Sequence, residues 1–394
     1  MTASAMALGP AINDAILRMV TWEHCVDPLY RDAFDRLLRR PLAGVVQTLL
    51  RWTHDNPETG LCEEIVSEVE GPCAKTIVKL LSEFLRQQYP PGQVQRAGNT
   101  KTYGVVRAEF TVGEAPPEFR RGMFAEPRTY PAWIRLSGPG PLAPADAADA
   151  GILSIGIKVM GVPGEKLLPD ERATQDFLGI SCPTFTTPNV GENVKLQRRI
   201  LAGTPIFYFL NPFDSHLLDL AMQGLYARMN TGPTEVRYWS CVPCLCGPGR
   251  AVKYSIRPVS ARETRVPIPP PANWLRQSLA ATLAERDVEL SFELQAQTDP
   301  RRMPIEDASI AWSEKLSPFA PVARIRIPKQ KFDSPAQLAF ADVLSYNPWH
   351  TTEDHRPLGN QNRARRLIYS ELARFRQGMN HRPHVEPTGA ETFA

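Results

Sequence analysis

The chain has 394 residues, and its 45 lysines and arginines against 42 aspartates and glutamates leave a formal charge of only +3, which is no nucleic-acid footprint. Hydrophobic residues make up 43% and charged residues 22%, the balance of a globular protein with a sizeable core. No apolar run approaches the about 20 residues of a membrane span, the opening MTASAMALGPAIND lacks the layout of a signal peptide, and seven cysteines in a chain too large to need staples fit a reducing compartment, so a cytoplasmic protein is expected.

The chain opens helical. Ile12, Ile16 and Val20 recur at helical spacing, then Leu42, Val45, Val46, Leu49 and Leu50, then Ile77, Val78, Leu81, Phe84 and Leu85. Each stripe is one-sided, so residues 1–89 read as a helical N-terminal section that packs on something else. After Pro91 the period changes to two. Val106, Ala108, Phe110 and Val112 take one face of a strand, with Arg107 and Glu109 on the other. Trp133 to Ser137, Gly151 to Val162, Ala251 to Ser260, Val288 to Ala296 and Ala323 to Ile327 read as further strands. Many separated strands with long connections point to an antiparallel sheet or barrel. Proline is about twice its usual share, at 38 residues, and concentrates in Pro139 to Pro144 and Pro267 to Pro271, read as wrapping loops. Trp274 to Arg286, Ser334 to Leu344 and Asn362 to Gly378 return to helical spacing, the last ending at a glycine.

Two segments carry candidate chemistry. Cys241, Cys244 and Cys246 form CxxCxC, which with Cys182 is a candidate zinc set or else a turn with free thiols. In the last helix Arg365 and Tyr369 are four apart and Arg376 is seven further, so all three fall near one face. A phenol flanked by guanidiniums can be held as phenolate, and tyrosinate is an axial ligand for haem iron. The same spacing also suits an amphipathic helix with surface arginines and one interfacial tyrosine. His350 and His355, in WHTTEDHRPLG, read as packing or capping residues of a loop, and His381 and His384 as exposed residues of a tail.

The segment from Arg356 to Arg376, RPLGNQNRARRLIYSELARFR, resembles the proximal helix of the haem catalase superfamily with its R-x-x-x-Y signature. It is most similar to the catalase-related, allene oxide synthase-like branch. Other segments agree in order: Arg96 to Lys101 with Gly104 to Phe110, Ile134 to Ser137, Gly151 to Lys158, Asp176 to Leu178 with Pro183, Tyr238 to Ser240 with Ala251 to Ser255, Pro304 to Ala308, and Ala323 to Gln330. The resemblance implies an α+β fold: a catalase-like antiparallel β-barrel over residues 90–380, surrounded by helices, between the helical section 1–89 and a tail 381–394. It implies one haem b, with Tyr369 as the iron ligand and Arg365 as its charge partner. Arg96, Arg135 and Arg376 would meet the propionates, for which guanidinium forks suit carboxylates. Asn99, Thr100 and Ser181 would line the distal side.

That side departs from the family. The distal histidine falls at Asn99 and the distal asparagine at Ser181, and no histidine lies between His54 and His216. An asparagine amide does not titrate near neutral pH, so it is no general acid–base. The expectation is a haem enzyme acting on a peroxide or organic hydroperoxide, as peroxidase, isomerase or lyase, with weak catalase activity. An oxygenase or dehydratase, or a non-catalytic haem binder, is the alternative. Its partner is a small-molecule substrate, with a homo-oligomer left open.

Overall fold

The structure is a computed structural model that describes residues 3–54, 56–57, 59–259 and 264–393. Ser260, the expected end of one strand, lies outside the described residues, as do positions 1, 2 and 394 of the expected N-terminal section and tail. The helices are α1 (Ala3–Val26), α2 (Arg31–Phe34), α3 (Arg40–Thr53), α4 (Glu70–Gln88), α5 (Val190–Leu201), α6 (Ile206–Phe209), α7 (Leu217–Tyr226), α8 (Trp274–Glu285), α9 (Pro335–Val343) and α10 (Asn360–Met379). The strands are β1 (Thr102–Val112), β2 (Arg128–Ser137), β3 (Ser154–Met160), β4 (Thr174–Ile180), β5 (Tyr238–Trp239), β6 (Cys244–Leu245), β7 (Ala251–Pro258), β8 (Val288–Ala296) and β9 (Ala320–Ile327).

Every pairing between strands is antiparallel, in the order β5-β4-β3-β2-β1-β9-β8-β7-β6, and β5 also pairs with β7. That last pairing closes eight strands into a barrel, with β6 laid beside the start of β7. Eight strands leave an interior just wide enough for side chains. Aromatic rings fill it: Phe177 and Phe292 lie 4.7 Å apart, with Phe110 and Tyr254 each 5.3 Å from Phe292. The alternation expected in β1 holds, since Val106, Ala108, Phe110 and Val112 are buried and Glu109 is exposed. In β8 it fails halfway. Glu293 and Gln295 alternate with the apolar residues of this strand, yet both are buried. Glu293 pairs with Arg257 at 2.6 Å, and Gln295 donates to the carbonyls of Trp312 and Ser317. A second layer covers the barrel here, so polar residues on that face need internal partners.

The N-terminal section supplies part of that cover. On α3, Gln47 donates to the Ser309 carbonyl (3.0 Å) and accepts from the Ala311 amide (2.8 Å). Ile77 and Leu81 of α4, Val190 and Val194 of α5, and Ala364 and Ile368 of α10 form one buried cluster. Arg363 then ties α10 to the N-terminal section through Glu70 at 2.7 Å and to Glu306 at 2.9 Å. Gly378 does not end α10, which runs one residue further to Met379.

Helices α5 to α7 carry no expectation from the sequence. His216, just before α7, stacks on the Tyr208 ring at 4.3 Å and faces Glu192 at 3.1 Å and Asp219 at 3.2 Å. Burial opposes its charge, but the two carboxylates prevail and raise its pKa to about 9. The stabilisation from the imidazolium is therefore complete below about pH 6.5 and is lost as the pH rises through about 9. His216→Gln should flatten the pH dependence of the urea midpoint between those values. A slope equal to the parent's would contradict the pairing.

Candidate functional site

The final helix begins where only glycine fits. Gly359 has φ +86°, and a Cβ there would sit 2.5 Å from the Ile305 carbonyl oxygen. From that start α10 buries Ala364 and Ile368 and leaves Tyr369 half-buried at the edge of the same cluster. Arg365 lies over the Tyr369 ring at 5.6 Å and over Phe185 at 5.2 Å, and donates to Asn362 Oδ1 at 3.2 Å. Among the described residues, Arg365 has no carboxylate partner and the Tyr369 hydroxyl has no hydrogen-bond partner.

Arg96, Arg135 and Arg376 do come together. Arg96 and Arg376 both donate to the Leu344 carbonyl, at 2.6 and 3.2 Å. Arg135 donates to the Asn99 carbonyl at 2.6 Å and to Thr102 Oγ1 at 2.7 Å. All three sit deep enough for burial to push their pKa values down, and Arg96 adds repulsion on the other two. Arg376 falls to about 9. The carboxylate nearest to them is Asp342, 4.0 Å from Arg96 and partly exposed. Buried cations are normally paired. Three guanidiniums held by carbonyls and hydroxyls, with one distant acid, form a site short of negative charge.

Asn99 and Ser181 meet at the start of β3. Asn99 adopts φ +52°, a left-handed conformation that asparagine tolerates. Its Oδ1 accepts from Ser154 Oγ at 2.7 Å. Ser181 Oγ accepts from the Leu153 amide at 2.8 Å, which leaves its own proton free to donate. The Thr100 hydroxyl instead donates to the Arg96 carbonyl at 2.7 Å. The proline loop straps this segment, since Pro139 and Gly140 carbonyls accept from the Asn99 and Thr100 amides. Ala97 packs against the cluster that holds Tyr369, so the Arg96–Thr100 segment and α10 face each other across apolar side chains.

Ser154, Asn362, Phe185 and Tyr346 were missed by sequence reasoning. Asn362 stands three residues before Arg365 and could have been found from helical spacing. Ser154 and Phe185 have no local signal. Tyr346 is half-buried with its hydroxyl buried and unpartnered, and its ring lies against Gly156 and 5.6 Å over Lys158. Burial raises its pKa while Arg135 and Arg96 pull it down.

Beyond Tyr346 lies a second charged cluster. Lys158 pairs with Glu171 and with Asp176 at 2.8 Å, and His350 Nδ1 shares Asp176 at 2.8 Å. Glu171, Asp176 and His350 have the spacing of metal ligands, but the Lys158 ammonium already stands between them. His384 was expected to be exposed; it is half-buried and reaches Glu171 at 3.3 Å, while His381 is exposed. His355 accepts from the Met123 amide at 3.1 Å, and burial lowers its pKa to about 4, so it stays neutral. The CxxCxC thiols disperse. Cys241 donates to the Cys182 carbonyl and Cys246 to the Phe119 carbonyl. Cys244 lies in β6, and burial raises all three pKa values.

This architecture is similar to solved catalases. A fungal catalase superposes with a TM-score of 0.57 at 13% identity, over 83% of this chain and 66% of that one. A bacterial catalase (TM-score 0.55) and catalase A from Saccharomyces cerevisiae (0.59) are also 13% identical, over 86% of this chain and 72% of each of theirs. The fold is catalase-like. The chain spans just under two thirds of the fungal enzyme's length. No protein-family model and no curated protein matches the sequence. No helix among the described residues is long and apolar enough to cross a membrane.

Proposed function

We propose that this chain is a haem-dependent enzyme of the allene oxide synthase-like branch, acting on a peroxide or organic hydroperoxide with little true catalase activity. The observation that carries the reading is the buried Arg96–Arg135–Arg376 cluster and its shortage of anions. Two propionates supply the missing charge, and guanidiniums bind carboxylates in forked pairs. Tyr369 fits the iron ligand. Its hydroxyl is unclaimed, it stands on a rigid helix, and Arg365 lies over its ring at 5.6 Å.

When bound, haem supplies an iron that weakens a peroxide O–O bond. The protein's own part is narrower than in a catalase. Asn99, with Oδ1 held by Ser154, keeps its amide N–H groups to donate to a bound oxygen. Ser181 keeps a hydroxyl proton for the same use. Neither moves a proton at neutral pH. Losing a general acid–base costs about 10²–10⁴-fold, and heterolysis of H2O2 depends on that transfer. Homolytic opening of an organic hydroperoxide depends on it less.

Haem titration tests the reading. The parent chain should develop a Soret band, and Tyr369→Phe should lose it or shift it with at least tenfold weaker binding. A parent that takes up no haem overturns the proposal. With haem bound, consumption of a fatty-acid hydroperoxide should outpace O2 evolution from H2O2.

A further inference from the structure

A cavity of about 370 Å³ lies outside the barrel wall, between β5, β7, α3, α7 and the loop 311–319. This is the size of a small-molecule site. Tyr226, Trp239, Trp312 and Phe319 give it aromatic walls. On β7, Tyr254 packs with Phe177 and Phe292 inside the barrel. Its neighbour Lys253 therefore takes the outer side, as successive strand residues must, and reaches the cavity. The Lys253 side chain is only 4% exposed. Its Nζ donates to the Ile310 carbonyl at 3.1 Å and lies 5.1 Å from the Trp312 ring centre.

The two buried lysines differ in one respect. Lys158 has two carboxylates against it, whereas Lys253 has none within ion-pair distance among the described residues. Around it stand Arg51 of α3, the Cys241 thiol, Asp307 further off, and Glu314 at the mouth, which Arg237 holds at 2.8 Å. Arg51 adds a second positive charge, and its Nε has no partner. Burial outweighs Cys241 and Asp307 and lowers the Lys253 pKa to about 8. An amine in an aromatic cavity, without an acid to hold it charged, is a nucleophile rather than a structural cation.

We propose that Lys253 is a carbonyl-capturing amine and that this cavity takes a small aldehyde or oxo acid with an aromatic or apolar body. The Nζ lone pair adds to the carbonyl carbon, and an amine proton passes to the oxygen. The carbinolamine then loses that oxygen as water and leaves an imine, with no oxidant or reductant consumed. Arg51 supplies the countercharge where the ligand is an acid.

Reductive trapping tests this on the full chain. Benzaldehyde with cyanoborohydride at pH 7.5 should convert Lys253 to its benzylamine on the order of 100-fold faster than exposed Lys315 and Lys331, because a pKa of about 8 leaves that much more free amine than a model-peptide lysine has. Peptide mapping reads the sites directly, so the result does not depend on a variant folding. The labelling rate should reach half its maximum near pH 8, and Lys253→Arg should lose that adduct alone. Labelling of Lys253 no faster than of the two exposed lysines overturns the proposal.

Discussion

Lys158→Met should cost about 3–5 kcal/mol of stability, the range for breaking a buried ion pair by removing one partner. The Lys158, Glu171 and Asp176 side chains are all 0% exposed. Without the ammonium, two carboxylates stay buried with His350 as their closest cation. Burial and Lys158 depress the His350 pKa, while Asp170 and Asp176 raise it to about 9 on balance. In the variant the Lys158 repulsion is gone, so His350 holds its proton more firmly and returns part of the charge. The deficit should therefore be smaller at pH 6, where both proteins hold the imidazolium, than at pH 10, above the parent's value. Urea denaturation at the two pH values measures this. Adding Glu171→Gln and Asp176→Asn to Lys158→Met should recover much of the loss, because a fully neutral cluster leaves no orphaned charge. A single-variant loss below about 1 kcal/mol would mean that water reaches the cluster.

The same lysine marks the limit of what could be read from the chain. Gly151 to Val162 reads as a buried strand with one charge in it, and β3 is buried throughout. What neutralises the charge comes from positions 171 and 176, and no local pattern links them to it. Glu293 and Gln295 teach the same point from the other side. Alternation describes one sheet against solvent, and it fails where α3 and the 309–319 loop add a layer. An antiparallel sheet or barrel was legible because strand periodicity is local and six strands repeat it, whereas β4 and β5 were marked only by the resemblance. The arginines of the candidate site were legible only through resemblance. Their geometric convergence depends on Leu344 and Asn99 carbonyls that any residue could supply. Ser154, which orients Asn99, was invisible for that reason. The tail misled because His384 looks like a solvent-facing residue until the chain is folded back onto the barrel, where Glu391 also accepts from Trp133 Nε1 at 2.8 Å.

Asn99→His should raise the reaction of the haem-loaded protein with H2O2 by about 10²–10⁴-fold, the usual yield of a positioned general acid–base. The backbone permits the change. Asn99 sits at φ +52°, and histidine is among the residues enriched in that region. The contacts permit it as well, since Arg135 holds the Asn99 carbonyl rather than its side chain. Ser154 Oγ, which now donates to Asn99 Oδ1 at 2.7 Å, can donate to one imidazole nitrogen and so select the tautomer. Ser154→Ala in the Asn99→His background should then remove part of the gain without altering the Soret band. Stopped-flow mixing with H2O2 reads the rate, and a fatty-acid hydroperoxide serves as the contrast, because its homolysis gains less from a proton shuttle. Equal gains for both substrates would mean that the histidine acts by opening access. No gain for either, with haem still bound through Tyr369, would remove Asn99 from the distal side and with it the proposed departure from catalase chemistry.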